Sequence, residues 1–139
     1  MDPTPKASAF RASLETPPSQ FRVFFGVLWA LVIVDCILAV NTPGFGLGAL
    51  FLKVGVAGVL TYNLSERRNW ARITVMVLQG LSLGRLLFLF ARINWAEVAL
   101  AEPMAKFAMA SSFFDLFALS WSLYYLSRAD VRAYFKPNA

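Results

Sequence analysis

The amino-acid sequence predicts an all-α integral membrane protein, folded as an antiparallel four-helix bundle with short loops. Three observations predict this class. The 139 residues are 58% hydrophobic and 15% charged, with a mean hydropathy of +0.59, whereas soluble domains average about half apolar and about a quarter charged. The apolar residues form four stretches, each near the ~20 residues that a transmembrane helix needs. Turn residues or short polar segments separate the stretches.

Residues 21–126 are predicted to form the bundle, preceded and followed by short tails. The N-terminal tail, residues 1–20, holds four prolines and is either extended or a short helix lying on the membrane surface. A turn at Asn41–Gly44 follows the first span, a polar loop at 65–72 follows the second, and a partly helical polar stretch at 92–103 follows the third. The four spans are predicted at 22–40, 45–64, 73–91 and 104–126.

The C-terminal tail, residues 127–139, has the pattern of a short amphipathic helix. Its basic residues recur every four positions, and its apolar residues fall on the opposite face. Such a helix is suited to anionic lipid headgroups, although docking onto a protein partner would use the same pattern. The basic residues are Arg128, Arg132 and Lys136, and the apolar ones are Val131, Tyr134 and Phe135.

The distribution of lysine and arginine predicts that both termini are cytoplasmic, because short cytoplasmic loops carry an excess of these residues. Nine of them fall on one side, and only Arg92 and Lys106 fall on the other. The nine are Lys6, Arg11, Arg22, Arg67, Arg68, Arg72, Arg128, Arg132 and Lys136. Lipid headgroups or a partner are expected to contact Arg67, Arg68, Trp70, Arg72, Arg128, Arg132 and Lys136.

Each predicted span carries one ionisable side chain near its middle: Asp35, Lys53, Arg85 and Asp115. At 1.5 Å per residue, all four lie ~17–20 Å from the cytoplasmic end of their span. A charge facing lipid at this depth costs from about 3 to above 10 kcal/mol. We therefore expect the four side chains to point inward and to neutralise one another in a dry interior.

Two pairings of this charge layer are possible. Asp35 can pair with Lys53 and Arg85 with Asp115, or Asp35 with Arg85 and Lys53 with Asp115. The layer can serve as a neutral polar core that fixes helix register, as a proton or ion path or polar substrate site, or as a contact with charges of another subunit.

Small residues predict where the helices pack. Gly44 with Gly48, and Gly80 with Gly84, are spaced for close backbone approach between helices. Ser111 and Ser112 lie on a small, polar face of the fourth span with Asp115, and Gln79 and Ser82 form a polar strip with Arg85. These faces are expected to meet inside the bundle.

The composition argues against most kinds of catalytic site, metal site and disulfide. The chain has no histidine and a single cysteine, Cys36, so His-based catalysis, His-ligated metals and an intrachain disulfide are ruled out. Basic residues flank the spans, which argues against nucleic-acid binding. Without histidine, a catalytic set would need either a pair of acids or a serine–lysine pair, such as Lys53 with Ser111 or Ser112. No cofactor is expected, although a lipid, quinone or pigment could bind against the aromatic residues.

Two segments resemble those of small bacterial four-helix inner-membrane proteins that are uncharacterised. They are Arg-Asn-Trp-Ala-Arg at 68–72, which opens an apolar helix, and Val-Arg-Ala-Tyr-Phe at 131–135. The resemblance implies a bacterial plasma membrane and no particular activity. Small multidrug transporters are similar to this chain in size only.

The function expected from the sequence is that of a non-enzymatic accessory or scaffold subunit in a larger membrane complex. Its partners would be membrane lipids and larger integral membrane subunits, or further copies of itself. A small oligomeric transporter or channel for protons or ions is the alternative, and a membrane-embedded enzyme is the third hypothesis.

Overall fold

The structure, a computed structural model, describes residues 17–44 and 46–135. In this part of the chain every regular element is helical, so the all-α prediction is confirmed there. The N-terminal residues 1–16, Phe45 and the last four residues, with Lys136, lie outside the described residues. The helices are α1 (Phe21–Val40), α2 (Leu47–Ser65), α3 (Asn69–Arg92), α4 (Trp95–Ala99), α5 (Pro103–Ser127) and α6 (Ala129–Tyr134).

Three of the helices, α1, α2 and α3, are long and apolar enough to cross a membrane, by length and composition. The chain therefore has the helices of a membrane protein. The fourth predicted span lies in α5, which has 25 residues but is not among the helices apolar enough to cross a membrane by this measure. Its serines and charged residues are Lys106, Ser111, Ser112, Asp115, Ser120, Ser122 and Ser127.

The four long helices pack in a ring. α1 packs against α2 and α5, and α3 packs against the same two helices. The connections have clear local causes: Pro103 lies in the first turn of α5, where its missing N–H costs nothing. Asn94 accepts a hydrogen bond from the Ala96 backbone N–H at 3.2 Å and so caps α4. Gly44 adopts φ +80°, which favours glycine in the turn after α1.

A hydrophobic core fills one end of the ring, which we call the closed end. Here α1 and α3 begin, α2 and α5 end, and the short helix α6 packs into the same core. Phe24 of α1 stacks on Tyr125 of α5 at 5.2 Å between ring centroids. The buried core residues are Phe24, Leu60, Leu64, Ala71, Val75, Tyr125, Leu126, Val131, Tyr134 and Phe135.

The turn between α2 and α3 fastens this end. The backbone N–H groups of Arg67 and Arg68 donate to the carbonyls of Leu64 and Asn63, both at 3.0 Å, and Arg67 adopts φ 60°. This is the Schellman arrangement, with an arginine at the left-handed position that glycine usually takes. The Arg67 Nε donates to the Tyr134 carbonyl at 2.9 Å. The side chain thus ties the turn to α6 and offsets the backbone cost.

The opposite end, the open end, is packed loosely. Among the described residues of 31–56 and 80–117, only Ser111 is buried. Aromatic contacts of Phe90, Trp95 and Phe113, with centroids 5.1–6.2 Å apart, hold α4 against α3 and α5. The space left between the helices opens into two clefts, and the charge layer lies along them.

Candidate functional site

The candidate site is the charge layer, to which each long helix contributes one residue. Asp35 lies on α1, Lys53 on α2, Arg85 on α3 and Asp115 on α5. Measured along the helices from the closed end, the four residues lie ~18–24 Å away. Close packing ends at this level. The buried core lies between the charge layer and the closed end, and the side chains on the other side of the layer do not belong to that core.

Asp35 and Lys53 form an ion pair between α1 and α2. The Lys53 Nζ donates to Asp35 Oδ2 at 2.5 Å. This is one of the two pairs in the first of the predicted pairings. The expectation of a dry interior is wrong for it, however, because each of the two side chains is 44% exposed. The pair lies at the rim between the two helices, where the loose packing of the open end does not cover it.

Arg85 and Asp115 do not close the second predicted ion pair. They line one cleft of about 270 Å³ with Asp35, Ser82 and apolar residues of α1, α3 and α5. Within the described part of the chain, only Lys53–Asp35 and Arg128–Asp130 are in ion-pair contact. Arg85 is exposed, whereas the Asp115 Oδ1 atom is buried without a hydrogen-bond partner among the described residues. The cleft thus holds a cation and a carboxylate that face a common space.

A second cleft, of about 190 Å³, runs through the centre of the ring toward the closed end. Asp35 and Lys53 lie in its wall, and Gln79 and Ser82 add polar groups from α3. Its other lining residues are apolar: Leu28, Leu31, Val32, Val56, Ala57, Leu60, Val75, Leu78 and Leu119. Because Asp35 and Ser82 line both clefts, they connect the ion pair to the space that holds Arg85 and Asp115.

A buried polar pair lies on the closed-end side of the layer. The Gln79 amide and the Ser122 hydroxyl hydrogen bond across α3 and α5, with Oγ 2.7 Å from Nε2 and 3.0 Å from Oε1. Both residues are buried. The polar strips on these two helices therefore do meet, through Gln79 and Ser122. The Ser111 and Ser112 hydroxyls donate instead to the Ala108 carbonyl of their own helix, both at 2.8 Å.

The glycines do not bring helices together within the chain. A Cβ added at Gly44, Gly48, Gly80 or Gly84 would meet no atom within 4 Å, and all four residues are exposed. They therefore contact no other helix in the described part of the chain, and their predicted role in helix packing stays a prediction. Gly44 serves the turn, while Gly48, Gly80 and Gly84 lie on outward faces of α2 and α3. Spacing alone cannot tell an inward from an outward face.

The basic residues at the closed end divide into two groups. Arg68 and Arg132 are exposed, as a contact with lipid headgroups or a partner requires, and Trp70 is exposed in a groove that it lines with residues of α2. The Arg128 guanidinium pairs with Asp130 at 2.8 Å.

Arg72 differs from Arg68 and Arg132, because it is only 8% exposed and its Nη1 donates to the Leu126 carbonyl at 2.9 Å. It satisfies a carbonyl at the end of α5 and also lines a cleft on the outside of the ring, so its contact with headgroups stays a prediction.

The amphipathic C-terminal helix also corrects an expectation. Its apolar face does not lie free for lipid or a partner, because Val131, Tyr134 and Phe135 are buried against the ends of α1 and α5. The basic face, with Arg132, stays outside. The 3.6-residue pattern predicts which face is apolar, but it does not indicate whether lipid or the chain's own core covers that face.

The structure does not bring together the lysine and the serines of the third hypothesis. Lys53 donates to Asp35, and α2 and α5 are not packed against each other in the described part of the chain. Comparisons with protein-family models, with curated proteins and with solved structures return no match to this chain.

Proposed function

We propose that this chain is a non-enzymatic accessory or scaffold subunit of a larger bacterial membrane protein complex. In this proposal α5 is the fourth span of an antiparallel bundle in the inner membrane. The closed end and both termini face the cytoplasm. The observation that carries the proposal is the exposure of the Asp35–Lys53 pair and of Arg85 at a depth of ~18–24 Å along the helices.

The energetic argument concerns the environment of these charges. Charged side chains in the hydrocarbon region are tolerated when they face protein or water, and cost from about 3 to above 10 kcal/mol when they face lipid. In the isolated chain, the Asp35 and Lys53 side chains are each 44% exposed, and Arg85 has no ion-pair partner among the described residues. A neighbouring subunit that covers this rim, with an acidic or polar group facing Arg85, would remove the cost.

The outward helix faces supply the second argument. Gly80 and Gly84 are exposed on α3, next to the exposed apolar residues Val77, Leu81 and Phe88. A face with two small residues one turn apart lets a second helix approach closely. Since no helix among the described residues packs on this face, we infer that it is open to a helix of another subunit.

Site-specific photo-crosslinking in cells tests this proposal. A photoreactive phenylalanine analogue would replace Leu81 on the outward face of α3 or Phe51 on that of α2, which are 68% and 74% exposed. Leu119, which is buried, is the matched control. We expect Leu81 or Phe51 to give a discrete adduct with a larger membrane protein, and Leu119 to give none.

Mass spectrometry of the adduct identifies what was captured. An adduct of two copies of this chain, with no larger protein at either position, would show self-association and contradict the accessory role. Lipid adducts alone at both positions would contradict the proposal as well, because the outward faces would then be lipid-facing.

A second candidate function, a small oligomeric proton- or ion-coupled transporter, is favoured by the cleft that holds Arg85 and Asp115. The Asp115 Oδ1 atom is buried without a described partner, beside a cleft that also contains Asp35. A carboxylate in such a place is a common element of proton relays in membrane proteins. Four helices enclose little space, so transport would require several copies.

Flux measurements in liposomes separate the two functions. The purified chain would be reconstituted and proton flux followed with a pH-sensitive dye, using Asp115→Asn and the exposed Asp130→Asn as a matched pair. A transporter should lose flux with Asp115→Asn and keep it with Asp130→Asn. If liposomes that contain the unmodified protein show no more proton flux than empty liposomes, the transporter function is excluded.

A further inference from the structure

A third cleft lies at the closed end, on the outside of the ring between α3 and α5, and its chemistry differs from that of the charge layer. Its volume is about 460 Å³. Two of its lining residues are arginines, and none is acidic. We call it the arginine cleft; it is lined by Arg72, Ile73, Met76, Val77, Leu123, Ser127 and Arg132.

Arg72 forms a fixed cationic wall of this cleft. Its Nε donates to Asn69 Oδ1 at 3.0 Å, and its Nη1 donates to the Leu126 carbonyl at 2.9 Å. The residue is 8% exposed, so the guanidinium has little freedom to move. In the described part of the chain its Nη2 donates to no acceptor. The planar, permanently charged guanidinium is therefore held in place by its Nε and Nη1 bonds, and its Nη2 remains available to donate to a ligand.

Arg132 supplies the second charge, and the docking of α6 places it there. Val131 and Tyr134 are buried in the core, so the opposite face of this short helix, with Arg132, points outward beside α5. Two guanidinium groups in one cleft repel each other, and an anion between them relieves that repulsion. Paired arginines also match the geometry of phosphate oxygens.

The remaining walls are apolar and continue toward the middle of the membrane. Ile73, Met76 and Val77 follow Arg72 along the first turns of α3, and Leu123 lies opposite on α5. Arg72 is the fourth residue of a helix long and apolar enough to cross a membrane. The arginines thus lie at the level of the headgroups, and the apolar wall at the level of the acyl chains.

We propose that the arginine cleft binds one anionic glycerophospholipid, with its phosphate between Arg72 and Arg132 and one acyl chain along Ile73, Met76 and Val77. The combination of two cations with an apolar wall distinguishes this occupant from a free phosphate, which would use the charges alone. The site shares no residue with the charge layer, and it shares only Val77 with the outward face of α3 that is proposed to meet another subunit.

Native mass spectrometry of the full chain in mild detergent tests this proposal, with phosphatidylglycerol and phosphatidylcholine as probes. We expect one phosphatidylglycerol to bind and phosphatidylcholine to bind more weakly. Arg132→Gln should lower phosphatidylglycerol affinity about fivefold to tenfold, the effect of one arginine near a lipid surface. The matched control is Arg68→Gln, which removes one exposed charge at the same end but does not line the cleft, and should change affinity less than twofold.

Equal losses in Arg132→Gln and Arg68→Gln would overturn the proposal, since general surface charge would then explain binding. Displacement of the lipid by an equal concentration of inorganic phosphate would also overturn it, in favour of a free anion. If Arg132→Gln unfolds, Arg132→Lys replaces it, because it keeps the charge and loses the planar fork. An affinity of Arg132→Lys equal to that of the unmodified chain would contradict the proposed phosphate geometry.

Discussion

The ion pair of Asp35 and Lys53 joins α1 to α2 at a partly exposed position in the charge layer. The sequence places one charge in each apolar stretch and a rise of 1.5 Å per residue places all four at a similar depth. It does not choose between the two pairings, because the rotation of each helix about its axis decides which side chains meet. The structure forms Asp35–Lys53 and leaves Arg85 and Asp115 facing one cleft.

The Asp35–Lys53 pair permits a double-mutant test. Asp35→Asn and Lys53→Met should each lower the free energy of unfolding by about 1–3 kcal/mol, since each leaves one charge without its partner in a half-exposed site. The double variant should cost less than the sum, because no unpaired charge remains. Unfolding in mixed micelles, followed by tryptophan fluorescence, measures the coupling. Additive effects would show that the two charges do not interact.

Gln79 and Ser122 allow a sharper residue-level test, because both are buried and bond to each other. Ser122→Ala should cost about 1–2 kcal/mol of unfolding free energy, since the Gln79 amide loses its partner. Ser120→Ala removes the same hydroxyl from an exposed position of the same helix and should cost less than ~0.5 kcal/mol. The same unfolding assay applies, and equal costs at the two positions would contradict the buried bond.

At the scale of elements, the lengths of the apolar stretches predict where the helices lie along the chain. They do not predict which neighbour covers each helix face. The helix α3 begins at Asn69, within the segment predicted as a polar loop, since the Schellman turn at Arg67 lets a new helix start at once. The outward position of Gly80 and Gly84 and the burial of the apolar face of α6 were not predictable. Both depend on which neighbour covers a face, which a pattern along one helix does not contain.

The docking of α6 leads to a prediction for this element. Val131 is fully buried, whereas Ala133 is exposed on the same helix. Val131→Asp would place a carboxylate in the core of the closed end and should lower the midpoint of thermal unfolding by several degrees, because a buried unpaired charge costs several kcal/mol. Ala133→Asp is the control and should change the midpoint little.

Size-exclusion chromatography after heating, in one detergent, measures both variants. If Val131→Asp is as stable as Ala133→Asp, the helix does not dock on the bundle, and its apolar face is available to lipid as the amphipathic pattern alone suggests. That outcome would also remove the support that holds Arg132 at the arginine cleft.

For the whole molecule, the two ends differ in packing and in charge. The closed end combines the hydrophobic core with the turn at Arg67 and the docked helix α6, while the open end contains clefts and the charge layer. The basic residues cluster at the closed end, with Arg92 and Lys106 at the other. A bundle that is closely packed at one end and open at the other would keep its polar groups accessible from one side only.

This asymmetry gives a topology prediction that can be tested in cells. In a Cys36→Ala background, cysteines would be introduced at Leu100, which is 90% exposed in the connection before α5, and at Ala133 on α6. Because the excess of lysine and arginine predicts that the closed end faces the cytoplasm, a membrane-impermeant maleimide should label Leu100→Cys in intact cells and Ala133→Cys only in inside-out vesicles. Labelling of both cysteines from the same side would mean that α5 does not cross the membrane. The three apolar helices would then remain as spans, and the charge of Asp115 would lie outside the hydrocarbon region.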